Sequence, residues 1–104
     1  MTILKNSKQL DLLQQKMNLL LQKHEFESGQ IVKWKKGLRN KKFPSEDQEV
    51  IVVEVLDNPV LQHETESGTP YFREPLDLVL AMLDEDNDLV IFHYDSRRFE
   101  PVEI

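Results

Sequence analysis

Cysteine is absent from the 104 residues. That excludes disulfides, thiolate metal sites and cysteine nucleophiles, and it fits a cytoplasmic location. Glycine occurs three times and tryptophan once. There is no glycine-rich phosphate loop, and no serine stands in a nucleophile-elbow setting. No apolar run approaches the roughly 20 residues that a membrane helix needs. The opening Met-Thr-Ile-Leu-Lys-Asn-Ser-Lys-Gln lacks the continuous apolar segment of a secretory leader, so no membrane partner is expected. Internal repeats and low-complexity tracts are missing as well. The histidines, His24, His63 and His93, fall in different expected elements. His63-Glu64-Thr65-Glu66-Ser67 opens like a zinc-protease helix but has no second histidine four residues on. No metal or other cofactor is therefore expected. Acid–base catalysis needs paired groups in a pocket, and so many acids guarantee some pairs without diagnosing a site; with no phosphate loop or serine nucleophile the chain reads as non-catalytic.

What is present is the material for one small domain with a modest core. The net charge of −6 hides a division. Residues 1–42 carry ten Lys and Arg against Asp11, Glu25 and Glu27, a net +7, whereas residues 43–104 set Arg73, Arg97 and Arg98 against sixteen acids, a net −13. Such asymmetry means a basic surface for a polyanion or one that faces the chain's own acidic part.

The stretch Phe26–Lys42 holds the sole tryptophan, two of the glycines and six of the thirteen Lys and Arg. Gly29 suits a turn that opens a strand in which Val32 and Trp34 face inward, while Lys33 and Lys35 alternate outward. Lys33, Lys35, Lys36, Arg39, Lys41 and Lys42 then form a candidate anion or nucleic-acid surface. Arg97 and Arg98 either extend that patch or pair internally with Glu74 or Asp95.

Ahead of this stretch, residues 7–24 read as a helix capped by Ser7. Leu10, Leu13, Met17, Leu20 and His24 recur at helical spacing, Leu21 widens the stripe, and His24 is expected to meet the C-terminal carbonyls. Leu12 and Leu19 lie about 180–200° away around the helix. If the main stripe faces the chain's own core, Leu12 and Leu19 are left for a protein partner or a second copy.

After Phe43–Asp47, a loop, Glu49–Leu56 is the strongest strand, rich in β-branched residues and stopped by Asp57-Asn58-Pro59. Gln62–Pro70 reads as an acidic loop. Leu76–Leu83 and Leu89–Tyr94 form a hairpin across Asp84–Asp88, Asp95–Arg98 a short 3₁₀ turn, and Phe99–Ile104 a closing edge strand. Asp84, Asp86 and Asp88 have calcium-loop spacing with Asp95 at the twelfth position. Leu89, however, stands where that loop needs glycine, and Asp95 replaces the bidentate glutamate. The expected core is Val32, Trp34, Val50, Val52, Val53, Val55, Leu78, Leu80, Ile91, Phe92 and Phe99.

This order resembles an SH3-like small barrel. Phe26-x-x-Gly29-x-x-Val32-x-Trp34 is similar to the first strand of such barrels, and Asp95-Ser96-Arg97-Arg98-Phe99 sits where their 3₁₀ turn leads into the closing strand. The pattern is also similar to that of small uncharacterised bacterial proteins, which supply no activity to carry over. The implied fold is mainly β, a small antiparallel SH3-like barrel of about five strands spanning 26–104, with a helical arm over 1–25. SH3-like folds bind proteins, peptides and nucleic acids alike. Tyr71, Phe72 and Tyr94 are too few for the aromatic groove that holds proline-rich peptides. The expected function is thus a binding module that self-associates or docks a protein through the helix, with nucleic-acid binding as the alternative.

Overall fold

The computed structural model describes residues 7–61 and 74–102. Helix α1 (Ser7–Leu21) is followed by β1 (Ile31–Trp34), β2 (Val50–Leu61), β3 (Pro75–Leu83) and β4 (Leu89–Tyr94). A 3₁₀ turn (Ser96–Arg98) and β5 (Phe99–Pro101) complete the order. The acidic stretch Gln62–Pro70, with His63, and the pair Tyr71 and Phe72 lie outside the described residues.

The architecture is mainly β, one antiparallel five-stranded sheet and one N-terminal helix. Strand order is β4-β3-β2-β1-β5, so the ladder does not close and β4 and β5 remain edges. Side chains bring these edges together instead. Tyr94 at the end of β4 meets Phe99 at the start of β5 with ring centroids 5.3 Å apart, and both meet Trp34 on β1.

Gly29, at φ +89°, makes the turn into β1, a conformation that costs glycine nothing. Alternation then carries Val32 and Trp34 inward. Asp57-Asn58-Pro59 does not end β2 as expected; the strand runs to Leu61, and these residues fall where the pairing with β3 shifts register between Val55 and Val60. Proline has no N–H to give a ladder, and an irregularity of this kind accommodates it.

The core gathers Val32, Trp34, Val50, Val52, Leu78, Leu80, Met82, Tyr94 and Phe99. The indole lies 4.3 Å from the Phe99 ring in a stacked arrangement, and its Nε1 donates to the Pro44 carbonyl at 2.7 Å. A buried indole thus has its one polar atom satisfied. Four expected core members are exposed: Val53, Val55, Ile91 and Phe92. A single sheet has one inward face, and alternation or the rim position sends these four outside it. Leu38, Val79, Met82 and Tyr94 are buried in addition to the expected set.

Candidate docking surface

Helix α1 ends at Leu21, and its packing partner in the body is the 3₁₀ turn. Of the stripe expected to cover the core, only Leu20 is half-buried. Leu10, Leu13, Met17 and Leu21 are 44–60% exposed. Leu19 and Leu20 are half-buried and turned toward the body, while Leu12 is exposed. Of the two leucines expected to meet a partner, Leu12 is therefore available and Leu19 is not fully so.

The rotation of α1 follows from Lys35. Its side chain is buried, and its Nζ donates to the carbonyls of Leu19 and, at 2.6 Å, of Gln22. These belong to the last turn of α1 and the residue beyond it, where the helix dipole is negative; the Leu19 carbonyl also accepts from the Gln22 N–H at 3.2 Å. Lys35, not His24, is the cation at that end; His24 is exposed and edge-on to Phe26 at 6.3 Å. Burial lowers the Lys35 pKa below its ordinary 10.5, against the opposing pull of Glu100 and Asp95. Gly37, at φ +81°, lets the chain turn away directly afterwards; a β-carbon there would stand 3.5 Å from the Lys16 side chain.

The other basic residues differ in what they meet. Lys33 is half-buried on β1 opposite Glu100 of β5. Lys36 is exposed. Arg39 folds back, donating from Nε to the Lys41 carbonyl at 3.0 Å and from Nη2 to the Lys42 carbonyl at 2.7 Å. Lys42 stands 5.4 Å over the Phe43 ring. Arg97 and Arg98 both pair internally, with Asp95 at 2.7 Å and Glu74 at 2.6 Å. Burial works to raise the Asp95 pKa, but the hydrogen bonds and charge of Arg97 outweigh it and hold the carboxyl below its ordinary value. Asp95 Oδ1 also caps the 3₁₀ turn by accepting from Arg97 N.

A second apolar surface lies on the outer face of the sheet, and sequence reasoning did not separate it from the core. Ile31, Ile51, Ala81 and Ile91 pair in one row across β1, β2, β3 and β4. Leu83 and Leu89 pair beside it, and Val53 falls at the register shift between Val52 and Glu54. Ile51, Val53, Leu83, Leu89 and Ile91 are all exposed. The signal was available: Val50–Val53, Leu76–Leu83 and Leu89–Phe92 are near-continuous apolar runs, the pattern of strands apolar on both faces.

A groove of about 390 Å³ on the inner side has a floor of Phe43, Leu76, Phe92 and Tyr94, with Lys41, Lys42 and His93 also lining it. The acidic hairpin behaves as a turn. Asp84 Oδ1 accepts from the backbone N–H of Asp86 at 2.8 Å and of Asp88 at 2.9 Å, and Asn87 takes φ 63°. One ligand atom from each of Asp84, Asp86 and Asp88 lies within 4.8 Å of the others, but the turn's own hydrogen bonds account for Asp84. Among the described residues no helix is long and apolar enough to cross a membrane. Compared with family models, with curated proteins and with solved structures, the chain matches none.

Proposed function

We propose that this protein is a non-catalytic interaction module that docks another protein chain through α1. The observation that carries this reading is the stripe Leu10, Leu13, Met17 and Leu21, 44–60% exposed on a helix of fifteen residues. An isolated helix near this length is marginal in water and gains most of its stability from packing its apolar face. Here the C-terminal end is fixed by Lys35 while that face is left open, so a partner supplies the missing contact. Recurrence at i, i+3, i+7 and i+11 is the anchor pattern of a helix laid on an apolar surface. The resemblance to SH3-like barrels agrees with a scaffold role for the sheet, and the lack of cysteine agrees with a cytoplasmic setting.

A photo-reactive amino acid at position 13, in cells that make the protein, tests this reading. A covalent adduct with a protein chain is expected from position 13, and none from position 36 on the exposed lysine loop. Absence of any adduct from position 13 overturns it.

A further inference from the structure

The same chain carries two open apolar surfaces that differ in kind, a helix stripe and a sheet face. Neither covers the other within one copy, because Lys35 holds α1 against the 3₁₀ turn while Ile51, Leu83, Leu89 and Ile91 stay exposed. We infer that the sheet face of one copy receives the α1 stripe of a second copy, giving a twofold dimer with two reciprocal helix-on-sheet contacts. This deepens the docking reading above and rests on it, adding the partner and the receiving surface.

Three observations favour a second copy as the occupant. The first is shape. At about 1.5 Å per residue α1 is about 22 Å long, and β3, at about 3.3 Å per residue, offers about 30 Å of sheet beneath it. Three strands about 4.8 Å apart make a platform matched to one helix about 10 Å across.

The second is charge. The half of the chain that contains α1 is +7; Lys8, Lys16 and Lys23 lie around the helix away from the stripe, Lys16 beside Gly37 of the same copy, so the attraction is one of net charge and not of paired groups. The half that supplies β2, β3 and β4 is −13, and Glu49, Glu54, Glu85, Asp86 and Asp88 are exposed around that face. A basic helix on an acid-rimmed sheet gains attraction in both contacts at once, whereas two copies of α1 side by side set like charges together.

The third is closure. A twofold interface is self-complementary, so one pairing covers both surfaces on both copies and leaves nothing to grow a fibre. Two helix-on-sheet contacts of this size remove on the order of 1,000 Å² of surface or more, the lower bound of a specific interface.

Sedimentation velocity on the full chain, with variants on each surface, tests the inference. The wild type is expected to be a dimer at micromolar concentration. Leu13→Glu on the helix and Ile91→Glu on the sheet each put a charge into an apolar contact, and each is expected to raise the dimer Kd about a hundredfold or more. Both positions are more than half exposed, and unshifted Trp34 emission verifies that the core is intact. Mixing the two variants is expected to give a heterodimer with one contact recovered, where the intact helix of the Ile91→Glu copy meets the intact sheet of the Leu13→Glu copy, while the other contact carries both charges.

A second readout does not depend on substitution within the contact. The chain has no cysteine of its own, so Glu85→Cys takes a single spin label on the hairpin. Mixed with isotope-labelled, spin-free chain, it is expected to broaden α1 amides of the other copy. A monomeric wild type, an Ile91→Glu variant as dimeric as wild type, or no broadening in α1 each overturns the inference. None of these touches the docking reading, which falls instead if position 13 yields no adduct.

Discussion

Lys35 donates its ammonium to the backbone carbonyl of Leu19, sixteen residues earlier in the chain. This one side chain decides how α1 is placed. It ties the end of the helix to the end of β1, directly beside the indole that anchors the core, and turns Leu19 and Leu20 inward. The rest of the expected stripe, Leu10, Leu13, Met17 and Leu21, is left in water.

Replacing Lys35 with methionine is therefore expected to free the helix and spare the sheet. Hydrogen bonds to a charged group, together with the dipole interaction, contribute about 1.5–3 kcal/mol. Amide exchange in residues 8–21 is expected to accelerate strongly, and far-ultraviolet circular dichroism to lose helical signal, with Trp34 emission unchanged. Protection in α1 equal to wild type rejects Lys35 as the anchor.

Much of the sheet was legible because its signals are local. Val32 and Trp34 alternate, the strand at Leu89–Tyr94 was read with its bounds as found, and Asp95 begins the 3₁₀ turn as a cap. What failed depends on surroundings that a pattern does not encode. Lys35 read as an outward neighbour of Trp34, yet β1 stops at Trp34 and the long apolar stem of lysine reaches back to α1. Val53 and Ile91 read as core because continuous apolar runs do not say which face is covered. The same ambiguity affects the helix: spacing identified the stripe, but the body took only Leu20 of it, together with Leu19 from the side expected to meet a partner.

Tyr94 offers an alkaline test of the core. Its hydroxyl donates to the Phe43 carbonyl at 2.8 Å, and burial pushes its pKa from 10.0 up to about 12. A raised value means that the folded state favours the protonated phenol. Its contribution is full below pH 10 and is lost as pH rises through about 12. In a Tyr71→Phe variant Tyr94 is the remaining tyrosine, and tyrosinate absorbance is expected to develop near pH 12. A midpoint at the ordinary value contradicts this burial. Tyr94→Phe is expected to cost about 1 kcal/mol in urea unfolding, one hydrogen bond's worth.

At the acid end the sensitive group is Asp95. Its side chain is 2% exposed, and it holds Arg97 at 2.7 Å while capping the 3₁₀ turn. Its folded pKa lies below the ordinary 3.8, so the charged form is favoured by folding. That contribution is present above pH 3.8 and is lost as pH falls below it toward the folded value. Asp95→Asn is expected to lower stability at neutral pH by about 1–3 kcal/mol, with the upper values limited by water screening the partly exposed Arg97. The variant is also expected to flatten the acid limb of a stability-against-pH curve measured by urea midpoints. An acid limb as steep as that of wild type places the titrating carboxyl elsewhere.

The basic stretch yields the last prediction. Six charges between Lys33 and Lys42 suggest phosphate binding when counted along the sequence. In the fold several of them are engaged within the chain: Lys35 is buried, Arg39 donates to two backbone carbonyls, Lys33 faces Glu100, and Lys42 leans over Phe43. The sheet beside them belongs to the half carrying −13, which repels a polyanion. Titrating a labelled oligonucleotide at about 50 mM salt, where phosphate contacts are strongest, is expected to give no saturable binding. Saturable binding that weakens steeply with salt, and that disappears in Lys36→Glu/Lys42→Glu, restores the nucleic-acid reading.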